Sequence, residues 1–351
     1  MSALDPVGLL RRMVETPSPS GGERGIAQLL VAEMTARRFS ARVDAVGNAV
    51  GEIGPPGGPT VMLVGHLDTE GATLPVAVRD GRLYGRGSVD AKGALAAMVC
   101  AAAASRFPGR LVVVGAVEEE MPSSRGAHHL GRTHPAPDAL LIGEPSGWSS
   151  VVLGYKGRTD FRYRVRCAPG HSTRPTPRAA ELAAAAWRTF QDAVGPRLSH
   201  AVFDLPGTTL HEIRGDLDAA EAVFSVRSPL GFAPDDLLAV LRDRLPEGEI
   251  TLVSSVPACR VGRRDPVVRA LSSAIDGQGV RPTLKVKTAT SDMNTLAGYW
   301  SVPMACYGPG DSRLDHSADE HLPLDDYLRA IAVLVDALDG LGERLTVGDR
   351  P

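Results

Sequence analysis

The stretch VMLVGHLDTE, residues 61–70, joins four apolar residues to a histidine and two acidic residues. The apolar run predicts a buried strand, and side chains at i and i+2 of a strand point to the same face. His66 and Asp68 therefore share a face where the strand leaves the core. This arrangement suits a metal-binding imidazole held by a carboxylate, but it also suits an ordinary strand end with two polar residues.

Two further apolar runs end in acidic residues in the same way. RLVVVGAVEEE covers residues 110–120 and DALLIGEPS covers residues 138–146, and each predicts a buried strand. Helical patterns separate these runs, including an alanine-rich helix that begins near Gly93. Apolar strands that alternate with helices predict an α/β fold with a layered sheet, in which ligand-binding groups gather at the strand ends.

The pattern changes after Gly154. YKGRTDFRYRVRC, residues 155–167, alternates polar and apolar residues as a half-exposed strand does. The segments that follow predict the order β-α-β-β-α-β of a small α+β domain. We therefore predict that residues 1–154 and 263–351 form a larger domain and that residues 155–262 form a smaller domain inserted in it.

Composition argues against several classes of protein. The formal net charge of −3 gives no reason to expect nucleic acid or an anionic membrane as a partner. The four cysteines are scattered without a CxxC pair, which predicts reduced thiols in a cytoplasmic protein. The N-terminus lacks the apolar core of a signal peptide, and GALAAMVCAAAA is too short to span a bilayer. The glycine patterns of a nucleophile elbow, a phosphate loop and a dinucleotide-binding turn are also absent from the sequence.

Six acidic residues and histidines are candidates for a metal site. Most of them lie near the ends of the apolar strands, and one lies far downstream. The six are His66, Asp90, Glu119, Glu120, Glu144 and His316. Carboxylates gathered at one sheet edge repel each other, and buried charges are costly unless they are paired or bind a metal. Two histidines with several carboxylates form a ligand set typical of zinc, cobalt or manganese. Each residue alone has a structural alternative, such as helix capping by Asp90 or a turn at Glu144.

In combination, these motifs resemble the binuclear zinc aminoacylase/carboxypeptidase family, which includes acetylornithine deacetylase, succinyl-diaminopimelate desuccinylase and aminoacylase. The resemblance covers nearly the whole chain and rests on GHLDT, GRGSVDAKG, EEE, GEPS and a late DHS. It implies a hydrolase with two divalent metal ions per subunit, zinc or cobalt. It further implies that His66 and Glu144 bind one ion and that Asp68 orients His66.

The same resemblance assigns the second ion and the catalytic base. It implies that Asp90 bridges both ions and that Glu120 and His316 bind the second ion. Glu119 would then be the general base. The family usually has Asp-Glu-Glu where this chain has three glutamates, so a shifted assignment of base and ligand within residues 118–120 stays open.

The inserted domain resembles the lid and dimerisation domain of the family. GHST, residues 170–173, matches the motif whose histidine reaches the active site of the partner subunit. The resemblance therefore implies a homodimer in which His171 stabilises the oxyanion of the tetrahedral intermediate.

The short segment between Asp68 and Asp90, together with GYKGR, GHSTRPTP and YGPGDSRLDHS, is most similar to the lysine/ornithine hydrolases of the amino-group-carrier (LysW) pathway. The resemblance implies a small acidic carrier protein as the partner. The enzyme would release lysine, ornithine or a related diamino acid from the γ-carboxyl of the carrier's C-terminal glutamate. Two alternatives stay open, which are deacetylation of free N-acetyl-lysine or N-acetylornithine and a non-catalytic relative that only binds a carrier or peptide.

Other polar residues are candidates for contact with the substrate or the carrier. The candidates for the substrate pocket are Arg227, Arg260, Ser291, Asp292, Asn294 and Arg313. Of these, Asp292 would face a cationic side chain. The candidates for carrier docking, here called the basic lid row, are Lys156, Arg158, Arg162, Arg164, Arg166, Arg174 and Arg178. The alternative for this row is a solvated sheet face.

Overall fold

The chain divides into two units in the computed structural model. The described residues are 5–171, 173 and 175–347. The first unit consists of the chain up to Gly154, Val261–Lys285 and the chain from Thr295 onward, and the second consists of Tyr155–Arg260 and Val286–Asn294.

The second unit thus includes a segment that the predicted boundaries place in the larger domain. The physical reason is the side chain of Asn294, which is buried. Its Nδ2 group donates to the carbonyl oxygens of Lys156 at 3.1 Å and Pro257 at 2.9 Å. Residues 286–294 are therefore held within the inserted domain by hydrogen bonds from a side chain to distant backbone carbonyls, which no local sequence pattern shows.

The elements are named here in chain order. The strands are β1 (Ser40–Val43), β2 (Ala49–Ile53), β3 (Thr60–His66), β4 (Ala77–Arg79), β5 (Arg82–Tyr84), β6 (Arg110–Ala116), β7 (Ala139–Gly143), β8 (Ser150–Tyr155), β9 (Gly157–Arg166), β10 (Gly207–Gly215), β11 (Ala219–Ser228), β12 (Gly248–Val256), β13 (Cys259–Arg260), β14 (Thr283–Lys287), β15 (Met304–Cys306) and β16 (His321–Pro323). The helices are α1 (Pro6–Glu15), α2 (Arg24–Ala36), α3 (Lys92–Ala104), α4 (Arg125–Thr133), α5 (Ala179–Val194), α6 (Pro234–Arg244), α7 (Pro266–Gly277), α8 (Asp292–Ala297) and α9 (Leu324–Val347), with a 3-10 turn at Ser312–Leu314.

The first unit is built on a mixed sheet with the strand order β1-β2-β6-β3-β7-β15-β8. β3 lies between β6 and β7 and is parallel to both, with Val64 opposite Val114 on one side and Ile142 on the other. All three strands are apolar and buried over nearly their whole length, as the sequence predicts for the centre of a parallel sheet. Their carboxyl ends therefore meet at one edge, which carries His66 and the segments that follow Ala116 and Gly143.

Helix α3 covers the middle of this sheet. Its sequence KGALAAMVCAAAA is buried from Lys92 to Ala102, and it packs on β3, β6, β7 and α9. Small side chains allow this close approach on several sides, which explains why the helix is apolar all round. The predicted alanine-rich helix is confirmed, and it begins at Lys92.

A separate three-stranded sheet has the order β16-β5-β4. β4 and β5 form a hairpin that turns at Asp80-Gly81, where φ is 49° at Asp80 and 69° at Gly81. Positive φ at both central residues is the geometry of a type I′ turn, which Asp-Gly favours. β16 then joins β5 by antiparallel pairing of His321 with Tyr84.

The second unit contains an antiparallel sheet with the order β10-β11-β9-β12. The chain order β9-α5-β10-β11-α6-β12 is the predicted one. The core lies between the sheet and its two helices, where the ring of Phe190 is centred 4.9 Å from Phe224 and 5.6 Å from Phe161. Within the described residues, no helix has both the length and the apolar character needed to cross a membrane.

Candidate metal centre

His66 ends β3 with its imidazole almost fully buried. Its Nδ1–H donates to the backbone carbonyl of Asp68 at 2.8 Å. Its Nε2 lies 3.2 Å from Asp90 Oδ1 and 3.9 Å from Glu144 Oε1. A neutral imidazole that carries its proton on Nδ1 has only a lone pair at Nε2, and this lone pair repels carboxylate oxygens. The contacts of Nε2 with Asp90 and Glu144 therefore require either a proton on Nε2 or a cation between the groups.

The carboxylate of Asp68 is the predicted orienting group for His66. It lies 3.6 Å from His66 Nδ1, which donates to the Asp68 backbone carbonyl at 2.8 Å, and its orienting role stays a prediction. The side-chain oxygens instead accept from the backbone N–H groups of Glu119 at 3.0 Å and Glu120 at 3.1 Å, and from the Ser20 hydroxyl at 2.8 Å. Asp68 thus holds the segment that carries the predicted base and a predicted ligand.

Asp90 lies between the two predicted histidine ligands. Its Oδ1 is 3.2 Å from His66 Nε2, and its Oδ2 is 3.0 Å from His316 Nε2. The peptide bond from Asp90 to Ala91 is cis. One carboxylate that offers an oxygen to each of two imidazoles has the geometry of a ligand bridging two ions.

The second group of ligands is built on loops. His316 Nε2 lies 2.9 Å from Glu120 Oε1, and its Nδ1 lies 3.4 Å from Glu70 Oε2. His316 has a φ of 58°, a backbone conformation uncommon for a residue other than glycine. Glu70, Glu120 and His316 each offer a ligand atom within 4.8 Å of the others, as do His66, Asp90 and Glu144.

Electrostatics favours a cation at both groups. Hydrogen bonds with Asp90 and Glu120 raise the pKa of His316 to about 11. Burial lowers the pKa of His66, but its contacts with Asp68 and Asp90 and the charge of Glu144 outweigh this, so its pKa is well above the usual value. The carboxylates therefore create a negative potential that two protons, or two divalent ions, would balance. The donor set of imidazole nitrogens and carboxylate oxygens fits zinc and similar ions.

The three consecutive glutamates are held differently. Glu118 accepts from Arg125 Nε at 2.8 Å and from the Ser123 hydroxyl at 2.9 Å. Glu119 and Glu120 instead form a third possible ligand group with His66, within 4.8 Å. Glu118 has a φ of 57°, a left-handed backbone conformation uncommon for a residue other than glycine. Glu118 is therefore paired away from the possible ligand groups, whereas the roles of Glu119 as base and Glu120 as ligand stay predictions.

Sequence reasoning missed the residues that support the centre. Ser20 and Glu70 contact Asp68 and His316, and Glu320 accepts from the backbone N–H of Asp90 at 3.1 Å. GHLDTE does contain Glu70, but nothing in the pattern shows that it reaches a histidine far downstream. Arg86, within the quoted motif GRGSVDAKG, is the other overlooked residue, because it pairs with Glu320 at 2.8 Å.

Two candidate substrate residues form a helix cap. Ser291 Oγ accepts from the N–H of Met293 at 3.2 Å, and Asn294 Oδ1 accepts from the N–H of Ser291 at 3.0 Å. This reciprocal arrangement is that of a capping box at the start of α8. The spacing of Ser291 and Asn294 could have indicated it. Contact of either residue with the substrate stays a prediction.

The remaining candidates lie in different surroundings. Asp292 is buried, whereas Arg313 is largely exposed and pairs with Asp311 at 2.5 Å. Arg227 donates to the Thr290 hydroxyl at 2.5 Å. Arg260 lies over the Phe203 ring at 5.6 Å. None of these contacts identifies a ligand among the described residues, so their role at the substrate stays a prediction.

His171 is exposed in the second unit, with Nδ1 3.0 Å from the Thr173 hydroxyl. Its action in a partner subunit stays a prediction. Ser172 of the same motif and Arg174 of the basic lid row lie outside the described residues.

Part of the basic lid row lies beside acidic neighbours. Arg158 pairs with Asp160 at 3.0 Å. Arg162 and Arg164 both approach Glu221, at 3.5 Å and 2.5 Å. Lys156 and Arg178 are buried and have structural contacts instead. Lys156 donates to the carbonyl oxygens of Ser199 and Leu205, and Arg178 pairs with Asp218. This pairing weakens the row as a docking surface for an acidic protein.

Known proteins resemble the chain over nearly its whole length. The sequence profile of peptidase family M20/M25/M40 matches residues 62–340. The LysW-lysine hydrolase of Deinococcus radiodurans is 41% identical over 350 residues, which cover 95% of this chain and 96% of the relative. A tripeptidase from Staphylococcus aureus has a similar fold, with a TM-score of 0.81 at 17% identity over 96% of this chain and 98% of that one. An M20 family metallo-carboxypeptidase from Sulfolobus solfataricus has a TM-score of 0.79 at 16% identity over 97% of this chain and 100% of that one.

Proposed function

The chain belongs to peptidase family M20/M25/M40, as its motifs predict, and on this premise we propose that it is an amide hydrolase that releases lysine or ornithine from an amino-group carrier protein. The observation that carries the proposal is Asp90, with one oxygen toward His66 and the other toward His316. The substrate comes from the relative named LysW-lysine hydrolase, with which the chain shares 41% identity.

Two divalent metal ions per subunit, zinc or else cobalt, fit the donor set. His66 and Glu144 would hold one ion, and Glu120 and His316 would hold the other. Asp90 would contribute to both sites. When bound, such ions polarise the amide carbonyl and make water a stronger nucleophile. A non-catalytic binding role is disfavoured because every predicted ligand and the predicted base are present and gathered at one edge of the sheet.

The residues of the chain then carry the proton. Glu119 takes a proton from the attacking water and returns it to the leaving α-amine of the released amino acid. The Asp68 carboxylate keeps Glu119 in place through the backbone N–H at 3.0 Å. His171, acting in the partner subunit of a homodimer, stabilises the oxyanion by donating a hydrogen bond to it.

The scissile bond joins the γ-carboxyl of the carrier's C-terminal glutamate to the α-amino group of the substrate. Lysine and ornithine both have a cationic side chain, for which Asp292 is the proposed acidic partner. A cytoplasmic site of action is part of the proposal, supported by four free cysteines, which are typical of a reducing compartment. Release of the same amino acids from free N-acetyl derivatives uses the same chemistry and is the second candidate.

The test is a hydrolysis assay with zinc-loaded or cobalt-loaded protein. The substrate is a carrier whose C-terminal glutamate is γ-linked to lysine or ornithine, and release is followed by intact mass. We expect rapid release at low micromolar conjugate and little cleavage of N-acetyl-lysine or N-acetylornithine. A metal-loaded protein that cleaves the N-acetyl compounds but leaves a verified conjugate intact would refute the carrier substrate.

A further inference from the structure

Glu320 is a fully buried carboxylate whose oxygens are both used by the protein. Oε1 accepts from the backbone N–H groups of Val89 at 2.9 Å and Asp90 at 3.1 Å. Oε2 accepts from Arg86 Nη1 at 2.8 Å, and the Glu320 side chain has no exposed area. Glu320 belongs to none of the possible ligand groups formed by the described residues, so its charge serves the surrounding backbone.

Arg86 extends this contact to a third segment of the chain. Its Nε donates to the carbonyl oxygen of Ala72 at 3.1 Å, in the loop that follows Asp68 and Glu70. The backbone carbonyl of Glu320 accepts from the N–H of Gly85 at 3.2 Å. The Arg86–Glu320 pair thus joins residues 70–72, 85–90 and 316–320. The first and last of these segments carry Glu70 and His316 of the second ligand group, and the middle one carries Asp90.

The two ligand groups differ in what supports them. His66 ends a central strand, where it pairs with Ala116, and Glu144 directly follows Gly143, which pairs with Gly65, so the sheet holds the backbone at or next to each ligand. Glu120 and His316 lie on loops, and His316 is four residues before Glu320 in the chain. A ligand on a loop needs another constraint, and residues that orient metal ligands often provide it.

We propose that Glu320, held by Arg86, is a positioning residue for the second metal ion. Through the N–H of Asp90 it sets the backbone of the bridging carboxylate, and through its own chain it sets the distance of His316 from Asp90. The guanidinium of Arg86 is buried where it donates to Ala72, so its charge must be neutralised by a carboxylate at position 320. This inference rests on the two-metal part of the proposed function and is independent of the substrate.

The first variant is Glu320→Gln, which keeps the shape of the side chain and removes its charge. We expect the dissociation constant of the second zinc ion to rise about 10- to 100-fold while that of the first stays within about threefold. After dialysis, the zinc content should fall from two ions per chain toward one. Hydrolysis should show a lower kcat with a smaller change in KM.

The matched control is Glu33→Gln, which removes the charge of a mostly buried glutamate that accepts from Arg12 at 2.7 Å and Arg37 at 2.5 Å, away from the centre. This control should lower the melting temperature while both zinc ions stay bound with wild-type affinity. An equal loss of zinc from Glu33→Gln would overturn the proposal, because general destabilisation would then explain the result. Wild-type affinity for both ions in Glu320→Gln would also overturn it.

A second variant covers failure of Glu320→Gln to fold. Arg86→Lys keeps the positive charge but loses the planar fork that contacts both Glu320 and Ala72. Weaker binding of the second ion in this variant supports the proposal, and unchanged binding overturns it. If the wild-type protein itself binds only one zinc ion, the two-metal function fails, which is distinguishable from failure of the positioning role.

Discussion

Neighbouring residues of identical type have different tasks at the metal centre. Glu118 is paired with Arg125 and Ser123, whereas Glu119 and Glu120 have backbone N–H groups bound by Asp68. The resemblance implied Glu119 as base and Glu120 as ligand, and the contacts add that Glu118 is paired with other residues. The Arg86–Glu320 pair was beyond sequence reasoning because its members are 234 residues apart.

Substitution of Glu119 by glutamine should remove catalysis and retain the metal ions. Loss of the proton acceptor should lower kcat by about 10²- to 10⁴-fold. Both ions should stay bound, as measured by zinc content after dialysis. Glu118→Gln is the matched control and should keep activity within about threefold, since its carboxylate contacts Arg125 rather than the centre. Equal losses of activity in the two variants would contradict the assignment.

Metal binding should release protons at neutral pH. In the metal-free protein the pKa of His316 is about 11 and that of His66 is well above 6.5, so both rings carry an extra proton at pH 7. Binding of zinc needs the free lone pair, so loading both ions should release about two protons, and affinity should rise with pH. Calorimetric titrations in buffers of different ionisation enthalpy measure the number. His316→Gln should release about one proton fewer, and binding without proton release would refute the prediction.

At the level of elements, periodicity predicted most of the structure. Continuous apolar runs became β3, β6 and β7, and Asp80-Gly81 became a hairpin turn, because these signals are local. Ser291 and Asn294, predicted as substrate candidates, also cap α8, and their contact with a substrate stays a prediction. The cap is local as well, but the buried contacts of Asn294 with the second unit are not.

Asp265 at the start of α7 should contribute measurably to stability. It accepts from the N–H groups of Val267 at 2.8 Å and Val268 at 3.4 Å, and from that of Met304 at 3.2 Å. Asp265→Ala should lower the free energy of unfolding by about 1–2 kcal/mol, measured by urea denaturation. Asp265→Asn keeps an oxygen acceptor and should cost less than about 0.5 kcal/mol. Equal costs for the two variants would show that hydrogen bonding at this position is unimportant.

At the scale of the whole molecule, the sequence predicted residues 155–262 as an inserted domain, and the structure has a second unit of Tyr155–Arg260 and Val286–Asn294. The sequence did not predict that residues 286–294 belong to that inserted unit, because the contacts that hold them are made across the chain. The assembly proposed from the resemblance requires each active site to use His171 of a second subunit.

Mixing two inactive variants tests this assembly. Glu119→Gln and His171→Ala should each have little activity alone. If His171 acts in the partner subunit, random mixed dimers contain one intact site, and activity should return to about a quarter of the wild-type value. The variants are refolded or co-expressed together and assayed against the unmixed proteins. Absence of recovery in verified mixed dimers would place His171 in its own subunit's site or outside catalysis.

The distribution of the ligands along the chain has a consequence for biosynthesis. His66, Asp90 and Glu144 are all synthesised in the first half of translation. His316 follows Asp90 by 226 residues, which takes about 10–45 s at about 5–20 residues per second. In the proposed two-metal centre, the ligands of the first ion are therefore all made before His316. A nascent chain lacks a complete ligand set for the second ion until His316 has been added.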